Sequence, residues 1–80
     1  MLSEKEIQHI MYDLGQSLGE NNIIHERVNK PHEWIDITLK EHMELTSNDF
    51  PHLLTVAKNY GLHIVVYVYA LGQLGIFLRR

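Results

Sequence analysis

The sequence contains no cysteine. That absence closes the disulfide route to stability and removes every Cys-containing zinc site. Charge is also scarce. Only 21% of residues are charged, the formal net charge is −3, and no basic block is present, so the chain lacks the electrostatic footprint with which proteins grip nucleic acid. Nor is there a long hydrophobic run. Residues 62–78 carry no charge beyond His63 and lie between Lys58 and Arg79-Arg80. A membrane span needs about 20 apolar residues; this stretch is shorter, is broken by Gly72-Gln73, and is rich in the Val, Ile and Tyr that favour strands. The opening residues, Met1 to Glu6, are acidic and lack the basic start and apolar core of a signal peptide. The expectation is a cytoplasmic protein without membrane contact. With 45% hydrophobic residues, the composition is also too apolar for a disordered chain.

What is present is enough for a single domain over residues 1–80. A chain of this size buries only roughly 60 to 70% of the surface that its unfolded form exposes. Domains with so small a core are commonly completed by a disulfide, a metal or a partner subunit. The first is unavailable here, so assembly is expected.

Ser3 followed by Glu6 reads as a capping box. Behind it, Ile7, Ile10, Met11, Leu14 and Leu18 recur at helical spacing, and Gly19 with Asn21-Asn22 supplies a stop. Gly15 inside this helix points to close packing or a loose last turn. The segments Ile23–Val28 and Glu33–Lys40 flank the turn tetrad Asn29-Lys30-Pro31-His32. The second alternates strictly, with Ile35, Ile37 and Leu39 on one side and Trp34, Asp36, Thr38 and Lys40 on the other, and so reads as a half-buried strand. Its alternation extends to Met43 and Leu45. A four-residue loop would set Ile24 opposite Ile37, His25 opposite Asp36 and Arg27 opposite Trp34. Ser47-Asn48-Asp49 with Pro51 starts a second helix, whose apolar stripe is Leu53, Leu54, Val56, Ala57 and Tyr60 and whose end is Gly61. The last segment, Leu62 to Leu78, reads as a hairpin turning at Gly72-Gln73. The order is helix–hairpin–helix–hairpin, an α+β fold with a mostly antiparallel sheet and helices packed on it.

A turn at Gly72-Gln73 would put Leu62, Ile64, Val66, Val68, Ala70 and Phe77 on one face. Val65, Tyr67, Tyr69, Leu71, Leu74, Ile76 and Leu78 would then occupy the other. Both faces are apolar, whereas helices on one side of a sheet cover only one. The second set is therefore the expected homodimer interface. Charge is unevenly placed as well. Ten acids and four bases lie at or before Asp49, giving −6, and three bases with no acid follow, giving +3. This is either the polarity of a molecule that docks head to tail or the ordinary exclusion of charge from buried strands.

Catalytic signals are thin. The six histidines, at 9, 25, 32, 42, 52 and 63, form no HxH, HxxH or HxxxH pair that would present two metal ligands on one side. A site joining His25, Asp36 and His63 across neighbouring strands is conceivable, as is a His25–Asp36 acid–base pair without a third member. Protonation of all six histidines near pH 6 would move the net charge from −3 to +3, a route to pH-sensitive solubility or assembly. No serine sits in a nucleophile elbow, and Gly72-Gln73-Leu74-Gly75 has neither the lysine nor the following helix of a phosphate cradle. No enzyme, metal or cofactor is expected. The binding face that the alternation assembles holds His25, Arg27, Trp34 and Asp36, with Thr38, Tyr67 and Tyr69 beside them. Such residues can stack bases, but Tyr, Trp and Arg are equally enriched at protein interfaces. On a net acidic chain, protein contact is the stronger reading.

In length and texture, and in Glu33-Trp34-Ile35-Asp36-Ile37 and His63-Ile64-Val65-Val66-Tyr67-Val68, the chain resembles small proteins encoded in Bacillus prophage regions, the Yopt-like family. The resemblance implies a cytoplasmic α+β homodimer of unassigned role and offers no catalytic residue to transfer; a host or phage protein is a possible further partner. The expected function is that of a non-catalytic, homo-oligomeric interaction or regulatory protein. The alternative is a ligand- or nucleic-acid-binding module that uses the aromatic sheet face.

Overall fold

The first helix begins as its capping box dictates. The Ser3 Oγ accepts from the Glu6 N–H at 3.0 Å, and the Ser3 N–H donates to Glu6 Oε1 at 3.0 Å, which satisfies two of the free donors at the helix start. In the computed structural model, which describes residues 1–80, this helix α1 spans Glu4–Leu18. A single 3-10 turn, Glu20–Asn22, leads into β1 (Ile23–Val28). Then follow β2 (Trp34–Leu39), α2 (Phe50–Tyr60), β3 (His63–Ala70) and β4 (Gln73–Arg79). Gly15 is buried, and a Cβ there would stand 3.1 Å from Glu20 Cγ. Close approach of the returning chain, not a loose turn, accounts for it.

The sheet runs β1-β2-β4-β3, and every neighbouring pair is antiparallel. β2 and β3 consequently run parallel, joined through α2, and β4 lies between them. This is a split crossover unit with its middle strand supplied last. Both helices lie against one face, where Ile10, Leu14, Leu18, Leu53, Val56 and Ala57 meet Ile35, Ile37, Leu39, Ile76 and Leu78 in one cluster. The Tyr60 hydroxyl donates to Asp13 Oδ2 at 2.9 Å and ties α2 to α1. Burial first, and the Asp13 bond second, raise the pKa of Tyr60 above the ordinary phenol value. No helix is long and apolar enough to cross a membrane.

Four corrections to the sequence reading concern the end of β2, the second helix and the second hairpin. β2 stops at Leu39 because the chain turns at Glu41-His42, where His42 adopts a left-handed φ of 64°. Met43 and Leu45 reach the core from a loop instead. α2 is started by Asp49 without a side-chain cap; the Asp49 carboxylate turns back to accept from the Thr46 N–H at 2.8 Å. On α2, Leu54 is exposed and leaves the apolar stripe to Leu53, Val56, Ala57 and Tyr60.

The fourth correction has the widest effect. The second hairpin turns at Leu71-Gly72, with Gly72 at φ 75° and Ala70 opposite Gln73. Val65 therefore pairs with Phe77 and Val66 with Ile76. Relative to a turn at Gly72-Gln73, the offset is an odd number of residues, and an odd offset sends every β4 side chain to the opposite face. Ile76 and Leu78 are fully buried beneath the helices, and Leu74 packs against the same core. These three belong to the interior and not to a subunit interface, while Phe77 moves to the outer face.

Replacement of Ile76 by alanine is expected to lower stability by about 2–5 kcal/mol. Leu71→Ala, at a fully exposed turn residue, should stay within about 0.5 kcal/mol. Urea unfolding of the two variants checks the corrected register, and equal small losses would contradict it.

Candidate functional site

The sheet face away from the helices is built by the polar half of the β2 alternation and by the residues that register sets beside it. β1 pairs with β2 so that Arg27 lies opposite Asp36 and His25 opposite Thr38. The expected register is thus displaced by two residues along most of the ladder, with a shift between Ile23 and His25. An even displacement preserves the face, so His25, Arg27, Trp34 and Asp36 do share the outer side. The five-residue connection is shaped by Asn29, whose Oδ1 accepts from the N–H groups of Glu33 at 2.7 Å and Trp34 at 2.9 Å.

At the centre of this face is a carboxylate. Asp36 is 6% exposed although no helix covers it. Arg27 Nη2 donates to its Oδ2 at 2.5 Å, and the Tyr67 hydroxyl donates to its Oδ1 at 2.5 Å. Both carboxylate oxygens are therefore occupied, as a buried charge requires. The donors arrive from opposite sides, Arg27 from β1 and Tyr67 from β3, and Tyr67 must cross β4 to do so. Gly75 makes the crossing possible. It stands opposite both Thr38 and Tyr67, and a Cβ there would fall 2.6 Å from the Tyr67 hydroxyl. A strand glycine in this setting marks a close approach of another group to the backbone. Trp34 and Phe77 complete the floor, with ring centroids 5.5 Å apart and planes tilted by 39°.

The electrostatics follow from the geometry. The hydrogen bond to Asp36, followed by burial, holds the Tyr67 phenol at a pKa pushed up to about 12. The same carboxylate raises the pKa of Arg27, chiefly through its hydrogen bond. Tyr67 is consequently a neutral donor at ordinary pH, and each Asp36 oxygen accepts one hydrogen bond. The acid–base pair of His25 with Asp36 does not form, since His25 faces Thr38 and the Asp36 oxygens go elsewhere. A site joining His25 to His63 is also ruled out, because β1 and β3 are the two opposite edges of the sheet. No group of three or more potential metal ligands gathers anywhere in the structure.

Beyond this polar centre the face becomes apolar toward β3. Val65 is 51% exposed and Tyr69 56%, with Leu71 fully exposed at the turn. Of the expected interface set, Val65, Tyr67, Tyr69 and Leu71 thus remain at the β3 side, and Leu74, Ile76 and Leu78 do not. Sequence reasoning missed Gly75 and Phe77 as members of this face. A glycine inside a strand pattern is a readable sign of close backbone approach.

Tyr67→Phe leaves one oxygen of a buried carboxylate without its donor and should cost about 1–3 kcal/mol. Gly75→Ala displaces the same ring, so its effect should be non-additive with Tyr67→Phe in a double-mutant cycle. The pH dependence has a definite sign. Folding favours the protonated phenol, so its contribution is complete below the ordinary tyrosine pKa of about 10 and is lost as pH rises through about 12. Absorbance titration at alkaline pH should show a tyrosine ionising near 12, a step that Tyr67→Phe removes.

No protein-family model matches the chain, and neither the curated proteins nor the solved structures contain a significant match to it.

Proposed function

We propose that this is a small non-catalytic protein that works by association, forming a homodimer along the β3 side of its outer sheet face. The carrying observation is the apolar exposure there. Val65 and Tyr69 are each more than half exposed, Leu71 fully, on a sheet whose opposite face holds both helices. Monomers rarely leave contiguous apolar surface of this kind uncovered. The Asp36 network supports the same reading, since it fixes Tyr67 rigidly beside those residues, and aromatic anchors with few rotamers are favoured at interfaces. On this reading the protein acts in the cytoplasm, as the resemblance to prophage-encoded proteins implies, and its outer face is open to a host or phage protein as a further partner.

Recognition of a nucleic acid by the same face is the weaker reading. Arg27 already spends a charge-assisted bond on Asp36, and the chain as a whole is acidic.

Sedimentation equilibrium should give a species of twice the 9.4 kDa chain mass. Val65→Lys or Tyr69→Lys should shift it toward monomer while the far-ultraviolet circular dichroism is retained. A chain that remains monomeric at about 1 mM, where only interactions weaker than about −4 kcal/mol go undetected, would overturn the proposal.

A further inference from the structure

Arg80 ties the segment before α1 to the rest of the molecule. It lies just beyond β4, and its guanidinium reaches three separate places. Nη1 donates to the Met1 carbonyl at 3.0 Å, Nε donates to the Tyr60 carbonyl at the end of α2 at 3.4 Å, and Nη2 pairs with Glu6 Oε2 in the first turn of α1. Residues 1–3 belong to no helix or strand. Leu2 is nonetheless only 2% exposed and joins the same buried cluster as Leu14, Leu53 and Leu78. Its N–H donates to the His32 carbonyl at 2.8 Å. A short segment without a ladder of its own thus covers part of the core.

The fastening of this segment converges on one side chain. Both Glu6 oxygens are bonded, Oε1 to the Ser3 N–H at 3.0 Å and Oε2 to Arg80. The first bond fixes Ser3 to α1, and the second sets the guanidinium that holds Met1. Hydrogen bonds to an ionised group are roughly twice as strong as neutral ones, so both weaken when the carboxylate is protonated. The Ser3 bond first, opposed by burial and assisted by Arg80, holds the Glu6 carboxyl below its ordinary value of 4.5. The groups that face Glu6 from other elements are Arg80 and the Tyr60 phenol, whose pKa the Glu6 charge helps to raise. On α1 itself, Glu4, Lys5 and His9 lie within one turn. Of all these, Arg80 is the one whose side chain bonds to residues 1–3.

We propose that residues 1–3 form a strap that opens without the rest of the fold, and that a single proton on Glu6 releases it. Loss of the carboxylate charge weakens the Ser3 anchor and frees Arg80 from α1, so both ends of the strap loosen in one event. Leu2 then leaves the core, and the apolar residues beneath it meet solvent. The opening is local, because the helices and the sheet keep their own contacts. Its pH window follows from linkage. A carboxyl whose pKa is lowered in the closed state stabilises that state fully above its ordinary value, and the stabilisation is lost as pH falls below 4.5. The device is independent of the association proposed above, which uses the outer sheet face.

Thiol labelling of the full chain tests this. The sequence has no cysteine, so one introduced thiol reports on opening without background. Leu2→Cys places it in the strap. Val56→Cys, at a position 4% exposed on α2, places it in the core, where it reports opening of the whole fold. With dithiodipyridine, which still reacts with thiols in acid, the strap thiol should label at least about tenfold faster than the core thiol at about pH 7. Arg80→Gln should speed the strap thiol on the order of threefold and leave the core thiol unchanged. Between about pH 5 and about pH 3, the strap thiol should gain on the order of tenfold over the core thiol, and Glu6→Gln should abolish that gain. A strap thiol that labels no faster than the core thiol, or that ignores Arg80→Gln, overturns the strap. An acid gain that is absent, or that survives Glu6→Gln, overturns Glu6 as its trigger.

Discussion

The molecule is organised around the pairing of β4 with two neighbours at once. β4 has β2 on one side and β3 on the other, so its side-chain alternation is fixed from both directions. Ile35, Ile37, Ile76 and Leu78 consequently share one surface with no measurable exposure, and the two helices close over it. The same alternation sends Gly75 and Phe77 outward. A one-residue slip of this strand would exchange those two sets, exposing two large aliphatic side chains and turning an aromatic toward the helices. The helices alone could not hold the fold, because their apolar stripes need this surface to cover.

On the uncovered side, an ionic group does what a helix does on the other. Asp36 is an expensive residue to bury, and it is tolerated because Arg27 and Tyr67 reach it from the strands on either side. In doing so they connect β1, β2 and β3 across β4 by side chains alone. Such networks set specificity as much as stability. A slipped register would leave the carboxylate without its donors, which penalises misaligned strands more than an apolar contact would.

Much of this was readable from residue order. The capping box at Ser3 and Glu6, the period-2 alternation from Trp34 to Lys40, and the Gly61 stop each state a local rule that tertiary packing did not override. The shared outer face of His25, Arg27, Trp34 and Asp36 was also legible, because an even error in register leaves faces intact. What was not legible depended on a single turn. Leu71-Gly72 and Gly72-Gln73 are both plausible two-residue connections. The choice between them rests on where the glycine with positive φ falls, and on the irregularity at Tyr69 that no local pattern announces. That choice carried Leu74, Ile76 and Leu78 from a surface to the core. It also hid the aromatic pair Trp34 and Phe77, and with it the reason for Gly75.

The strand order has a consequence for how the chain acquires its structure. α1, β1 and β2 form one stretch of sequence, and α2 and β3 another, yet no backbone ladder joins the two until β4 is inserted between them. The central ladder thus closes loops of long sequence separation, which slows folding relative to a helical bundle of equal length. Until that insertion, β2 and β3 both present bare edges, and the most apolar segment of the chain is among them. The interval of greatest risk for misassembly is therefore the one before β4 takes its place between β2 and β3.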